Sequence, residues 1–274
     1  VSDSYVVTIG PKCHVMCVDA KSGDMKWGID LVKEYGTKVP MWYTGQCPLI
    51  DDGIAVIAPA GDALMIGVDC ESGEVVWETS APENMEMSHS SIMPASIGGK
   101  NMYVYCAIGG MVGISAETED RGKLLWLTRD WNRSVIAPSP VMLGNGKIFV
   151  TAGYGGGSML LQVTQTNGSY KITVLQEMKS SEGLASEQHT PIFHKGHLFS
   201  ILPKDAGALR NQFVCVDPKD CTQIKWSSGK TNHFGLGPYM VADDKFYVLS
   251  DDGELTMLRA TPAGYKELGR SQIM

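Results

Sequence analysis

The run Val18-Asp19-Ala20-Lys21-Ser22-Gly23-Asp24-Met25-Lys26-Trp27 returns fifty residues later as Val68-Asp69-Cys70-Glu71-Ser72-Gly73-Glu74-Val75-Val76-Trp77. Each copy reads as the end of one strand, a tight turn and the start of the next. Asp accepts hydrogen bonds from the amides of its own turn, and Gly admits the positive φ that a tight hairpin needs. A stretched copy runs from Ile114-Ser115 through Gly122 to Trp126, and another with one extra residue runs from Val216-Asp217 to Trp226. The four Trp residues stand 50, 49 and 100 apart. The long interval holds a degenerate copy at Gln162 to Leu175, where Asn167-Gly168 supplies the turn and no Trp follows. A sixth copy sits at Leu258 to Leu268, with Pro262 and Gly264 in its turn.

A second marker keeps the same period. Pro48, Pro94, Pro140, Pro191 and Pro238 are 46, 46, 51 and 47 residues apart, and each leads into an apolar run and a polar turn. Strand-length runs recurring every ~45–50 residues are the pattern of a propeller blade rather than of a helical solenoid. The expected fold is therefore all-β: one β-propeller domain over residues 1–274, with about six repeats of a four-stranded antiparallel blade at roughly 1–30, 40–80, 88–130, 134–177, 186–228 and 233–270. In each blade the Pro marks the first strand, and the Asp-x-x-Ser-Gly turn joins the third to the fourth. Asp19, Gly23, Asp69, Gly73 and Asp217 then shape turns. Trp27, Trp77, Trp126 and Trp226 fall on the outermost strands, where a large ring fills the space between blades and its N–H can find a partner.

The repeated segments resemble the pyrroloquinoline-quinone-type propeller repeat, the blade signature of quinoprotein alcohol dehydrogenases and of the periplasmic lipoprotein B of the outer-membrane assembly machinery. The resemblance spans nearly the whole chain. It implies a periplasmic or extracellular, cell-envelope setting, and a protein partner there. It also implies seven or eight blades. Five full repeats follow a first one that lacks its innermost strand, so the chain is expected to be a piece of such a ring rather than a closed ring of six.

Composition narrows the function. Thirty Asp and Glu against twenty-three Lys and Arg leave a formal charge of −7. That balance disfavours nucleic acid, whose affinity comes from cations that neutralise phosphates. No run approaches the ~20 apolar residues of a transmembrane helix. The chain opens without Met, directly in a strand-like run from Tyr5 to Ile9, as expected where a leader or earlier repeats lie outside it. Seven cysteines form no CxxC and no vicinal pair, and most sit in apolar contexts such as Val-Met-Cys17-Val, so they read as small buried hydrophobes. A Cys215–Cys221 bridge across a hairpin is left open.

In a propeller, the residues just before each first strand approach the central axis. The candidate ligand-binding residues are those of these loops: Trp42, His89, Arg133, Gln188, His189 and His233. Such a ring would hold a small ligand, an anion on Arg133 and the histidines, or a metal on several imidazoles. His194 and His197 form a His-x-x-His inside a hairpin turn, with no further ligands to complete a zinc site. Tyr154-Gly155-Gly156-Gly157 lacks the Lys-Ser/Thr and the helix of a phosphate loop. No Ser-His-Asp set stands out, and paired carboxylates such as Asp51-Asp52 belong to recurrent turns, so no catalytic residue and no metal site is assigned. The expectation is a non-catalytic binding or scaffold propeller without a cofactor. The alternatives are a quinone-dependent dehydrogenase and a carbohydrate-binding propeller using Trp42 and Tyr43 as stacking platforms. Pyrroloquinoline quinone is disfavoured, because the vicinal cysteine pair is missing and a single Arg and a single Trp in different repeats cannot hold a tricarboxylate.

Overall fold

Where the sequence alternates apolar runs with Gly and Asp turns, the computed structural model, which describes residues 1–274, places antiparallel strands. The first sheet has three: Tyr5–Ile9 (β1), His14–Asp19 (β2) and Met25–Asp30 (β3). The only α-helix follows at Leu31–Tyr35 (α1), capped by the Asp30 carboxylate on the amides of Val32 and Lys33. Five four-stranded sheets then succeed one another in chain order. The second is Leu49–Asp51 (β4), Ile54–Ile57 (β5), Ala63–Asp69 (β6) and Val75–Ser80 (β7). The third is Met93–Ile97 (β8), Lys100–Ala107 (β9), Gly110–Ser115 (β10) and Leu124–Thr128 (β11). The fourth is Val141–Gly144 (β12), Lys147–Ala152 (β13), Gly157–Thr166 (β14) and Ser169–Met178 (β15). The fifth is Ile192–His194 (β16), His197–Ile201 (β17), Phe213–Val216 (β18) and Ile224–Ser227 (β19). The sixth is Tyr239–Ala242 (β20), Lys245–Leu249 (β21), Glu254–Arg259 (β22) and Glu267–Gln272 (β23). This is the blade architecture of a β-propeller, with about six repeats.

The chain divides into two compact units, Val1–Pro140 with Val163–Ile172, and Val141–Gln162 with Thr173–Met274. The first unit's core joins Val15, Cys17, Ala55, Val56, Leu64, Ile66, Tyr103 and Tyr105. The second has one cluster around Phe149, Leu160, Leu198 and Val214, and another around Phe199, Phe213, Phe234 and Phe246. Six of the seven cysteines are buried, Cys47 is exposed, and none is disulfide-bonded.

The repeat acts as the residue types demand. The Asp19 carboxylate accepts from the amides of Lys21 and Ser22, and Asp69 accepts from those of Glu71 and Ser72, which holds both carboxyls below the usual range. Gly23 and Gly73 close these turns at φ +77° and +78°. Just before each Trp the ladder slips by one residue, so that Trp27 faces Cys17, Trp77 faces Gly67, Trp126 faces Gly113 and Trp226 faces Cys215. The bulge tips the ring flat across its neighbour, which must be small: a Cβ on Gly67 or Gly113 would lie 2.1–2.2 Å from the indole. The sixth sheet bulges at the same place with the sizes exchanged, Met257 facing Gly269.

Candidate functional site

In the first unit the loops entering the first strands are stitched together by backbone N–H groups donating to serine hydroxyls. The Cys47 N–H donates to Ser91 Oγ, and the Ser91 N–H donates to Ser139 Oγ, both at 3.0 Å. Gln46 is buried beneath them, its amide exchanging two bonds with the backbone of Ala58 while the Tyr105 hydroxyl accepts from the Ser88 N–H. The sequence reading missed Gln46, Ser88 and Tyr105. A signal was available for Gln46, since a polar residue just ahead of a strand-marking Pro must be satisfied once buried, whereas Tyr105 lies within a strand and carried none.

On this platform stands the loop of Trp42. Met41, Trp42 and Tyr43 are 66%, 60% and 54% exposed, and Trp42 and Tyr43 both adopt left-handed backbone, φ 63° and 71°. A non-Gly residue held there is strained by about 1–2 kcal/mol. The surroundings hold it: Tyr43 N–H donates to Pro40 O, Thr44 N–H donates to Pro11 O, and Thr44 Oγ1 meets Cys13 Sγ at 3.0 Å. His89, half-buried beside the loop, bonds the backbone of Tyr43 and Met41, while its burial pulls the imidazole pKa down. Trp42 and His89 thus belong to one local arrangement. Arg133, in the same unit, lies over the ring of Trp131 at 4.5 Å, and its side chain bonds the Asn132 carbonyl.

In the second unit Gln188 and His189 both meet Leu236. His189 Nε2 bonds Leu236 O at 2.8 Å, and its ring meets Tyr239 edge-on. Gln188 lines a cavity of about 420 Å³ with Tyr154, Glu187, Lys204 and Asp205. His233 is exposed and pairs through its backbone with Gln212. His194 and His197 face each other across the β16–β17 turn, and no group of three or more His, Cys, Asp or Glu is placed to hold a metal ion. No helix is long and apolar enough to cross a membrane.

With this geometry in hand, comparisons with known proteins bear on function. A family model described as outer membrane protein assembly factor BamB matches residues 1–228. The solved structure of BamB from Moraxella catarrhalis covers 99% of the chain with TM-score 0.66 at 14% identity, the chain covering 74% of that protein. A functionally unknown protein from Desulfotomaculum acetoxidans covers all of the chain at TM-score 0.58 and 11% identity, with 81% of that protein covered. The quinoprotein alcohol dehydrogenase PedH of Pseudomonas putida is 27% identical over 135 residues, which are 46% of the chain and 22% of the dehydrogenase. The chain therefore spans about a fifth of that relative's length.

Proposed function

The chain belongs to the family of the outer membrane protein assembly factor BamB, and from that membership we propose that it is a non-catalytic binding propeller of the cell envelope, whose partner is a protein seated on the Met41–Trp42–Tyr43 loop. The observation that carries this reading is the pinned display of the two aromatics. Rigid, exposed Trp and Tyr lose little conformational freedom on binding and dominate interface energetics. Strain in a left-handed backbone persists only where surrounding bonds hold it, and such strain clusters at binding sites. Pro11, Thr44 and His89 supply those bonds here.

The test is binding between the purified chain and purified soluble domains of outer-membrane assembly proteins from its own source. W42A and Y43A are expected to weaken the complex at least tenfold each, while K204M, on the other unit, leaves it unchanged. Equal affinity of all four proteins sinks the reading.

The relation to PedH supports a second reading, a quinone-dependent dehydrogenase. Pyrroloquinoline quinone does not fit the residues present. Its carboxylates need cations, yet the candidate Arg133 is engaged with the Trp131 ring and the Asn132 carbonyl. Ring stacking would fall to Trp42, which is 60% exposed on a strained loop. Calorimetry with the quinone and calcium is expected to give no heat of binding. One-site micromolar binding would promote the dehydrogenase.

A further inference from the structure

The stretched third repeat departs from the second at one point. At the preceding joint the repeat Trp closes the gap to the next sheet by donating its N–H: Trp27 Nε1 bonds the carbonyl of Cys70, the residue after Asp69, at 3.0 Å. The corresponding carbonyl for Trp77 is that of Ala116, the residue after Ser115. It is taken instead by Arg121 Nε at 3.1 Å, and Trp77 Nε1 is buried with no hydrogen-bond partner. Arg121 comes from the lengthened segment between Ser115 and Gly122, so the insertion both displaces the indole's acceptor and brings in a guanidinium.

Beside this point lies a cavity of about 440 Å³, floored by Tyr103 and walled by Asp51, Asn101, Glu117, Thr118 and Arg121. The size is that of a small-molecule pocket. Its charges are arranged by the fold. Tyr103 donates from its hydroxyl to Asp51 Oδ2 at 2.6 Å, which fixes that carboxylate across the cavity. Glu117 accepts the Asn101 N–H on one oxygen. Arg121 is anchored through Nε on Ala116 O and lines the cavity. Burial and the neighbouring Asp51 push the Tyr103 phenol pKa up, and Arg121 lines the same cavity.

We propose that this cavity binds a zwitterion, a free α-amino acid or dipeptide, with the ligand carboxylate on Arg121 and its ammonium between Asp51 and Glu117. A planar guanidinium grips a carboxylate through two parallel N–H bonds. A bare anion would meet two carboxylates against one cation, and a bare cation would meet the guanidinium. A neutral sugar would leave all three charges without an ionic partner. One positive and two negative groups across a single small cavity match a molecule that carries both signs.

The experiment is a thermal-shift screen of the full chain against the twenty amino acids, glycylglycine, glucose and inorganic phosphate, followed by calorimetry of every hit. At least one amino acid or dipeptide is expected to bind at one site per chain. R121M and E117Q should each weaken that binding tenfold or more, with the ligand-free melting temperature of E117Q unchanged. T118Y, which narrows the cavity while leaving the Arg121–Ala116 bond in place, should abolish it and covers the case in which R121M misfolds. No zwitterion binding, binding indifferent to E117Q and T118Y, or a preference for phosphate or glucose overturns the proposal. These readouts are independent of the Trp42 surface, which W42A and Y43A report.

Discussion

Two joints in the first unit are built from the same indole and end differently. At the joint of Trp27, the ring is buried, its N–H is satisfied by Cys70 O, and Gly73 of the next turn lies directly against it. At the joint of Trp77, the ring stacks on Tyr103 at 6.0 Å and 9°, touches Gly122, stays partly exposed and has no partner for its N–H. The first joint is the repeat in its complete form, with packing and hydrogen bonding both satisfied. The second keeps the packing and gives up the bond, because six residues between Ser115 and Gly122 replace three between Asp69 and Gly73. A clasp is thus separable into an apolar part, which the period preserves, and a polar part, which an insertion can redirect.

The largest expected effect follows from that separation. Trp27→Ala removes a buried ring and leaves Cys70 O with only the weak Cys17 thiol donor at 3.6 Å, and should lower stability by about 3–5 kcal/mol. Trp77→Ala strands no acceptor and empties a half-exposed site, so about 2–3 kcal/mol is expected. Chemical denaturation of the two variants reads the difference. Equal midpoints would mean that the indole bond contributes nothing and that the two joints are energetically one.

Much of this was legible in the sequence, because it rests on residue size and turn chemistry. Trp spacing located the outer strands, and the Pro marker located the first strands. What was missed was also periodic. Fifty residues beyond Trp126 stands Gln176, whose side-chain amide donates to Lys219 O at 3.0 Å and accepts from the Cys221 N–H at 2.8 Å. It replaces the indole at the turn that follows, so the copy without a Trp is degenerate in its letters and intact in its bond. The small residues opposite each Trp, Cys17, Gly67, Gly113 and Cys215, recur two places before Asp19, Asp69, Ser115 and Asp217. That regularity explains two of the buried cysteines as clearance for a ring. The candidate site was less legible, since His89 and Trp42 are forty-seven residues apart and meet only through loop geometry that no period encodes.

A smaller effect sharpens the same contrast at the turns. Gly23 and Gly73 share their left-handed φ, but a Cβ on Gly23 meets nothing within 4 Å, whereas one on Gly73 lies 2.6 Å from the Trp27 ring. Gly23→Ala should therefore cost about 1 kcal/mol, the backbone term alone. Gly73→Ala should cost about 2–4 kcal/mol, because the ring of a packed joint must also shift. In the background of Trp27→Ala the clash is gone, so the two glycine substitutions should then cost the same. A double-mutant cycle that shows no coupling between Trp27 and Gly73 would place the joint elsewhere.

The smallest effect concerns the Trp42 loop and depends on pH. Burial lowers the pKa of His89 below its ordinary 6.5, and its bonds to the backbone of Tyr43 and Met41 oppose that shift without cancelling it. A lowered folded-state pKa means that the unfolded chain takes up the proton first. Stability is then complete above about pH 6.5 and declines as the pH falls from there toward the depressed folded value, below which the imidazole is protonated in both states. The strained backbone of Trp42 and Tyr43 should respond in the same window, because protonation changes the group that pins it. His89→Gln keeps a donor for the loop carbonyls and removes the titration. Its melting temperature is expected to fall less than that of the parent between pH 7 and pH 5, with the tryptophan fluorescence change over that range reduced as well. Parallel pH profiles for the two proteins would show that His89 carries no part of the acid sensitivity, and that Pro11 and Thr44 alone hold the aromatic loop.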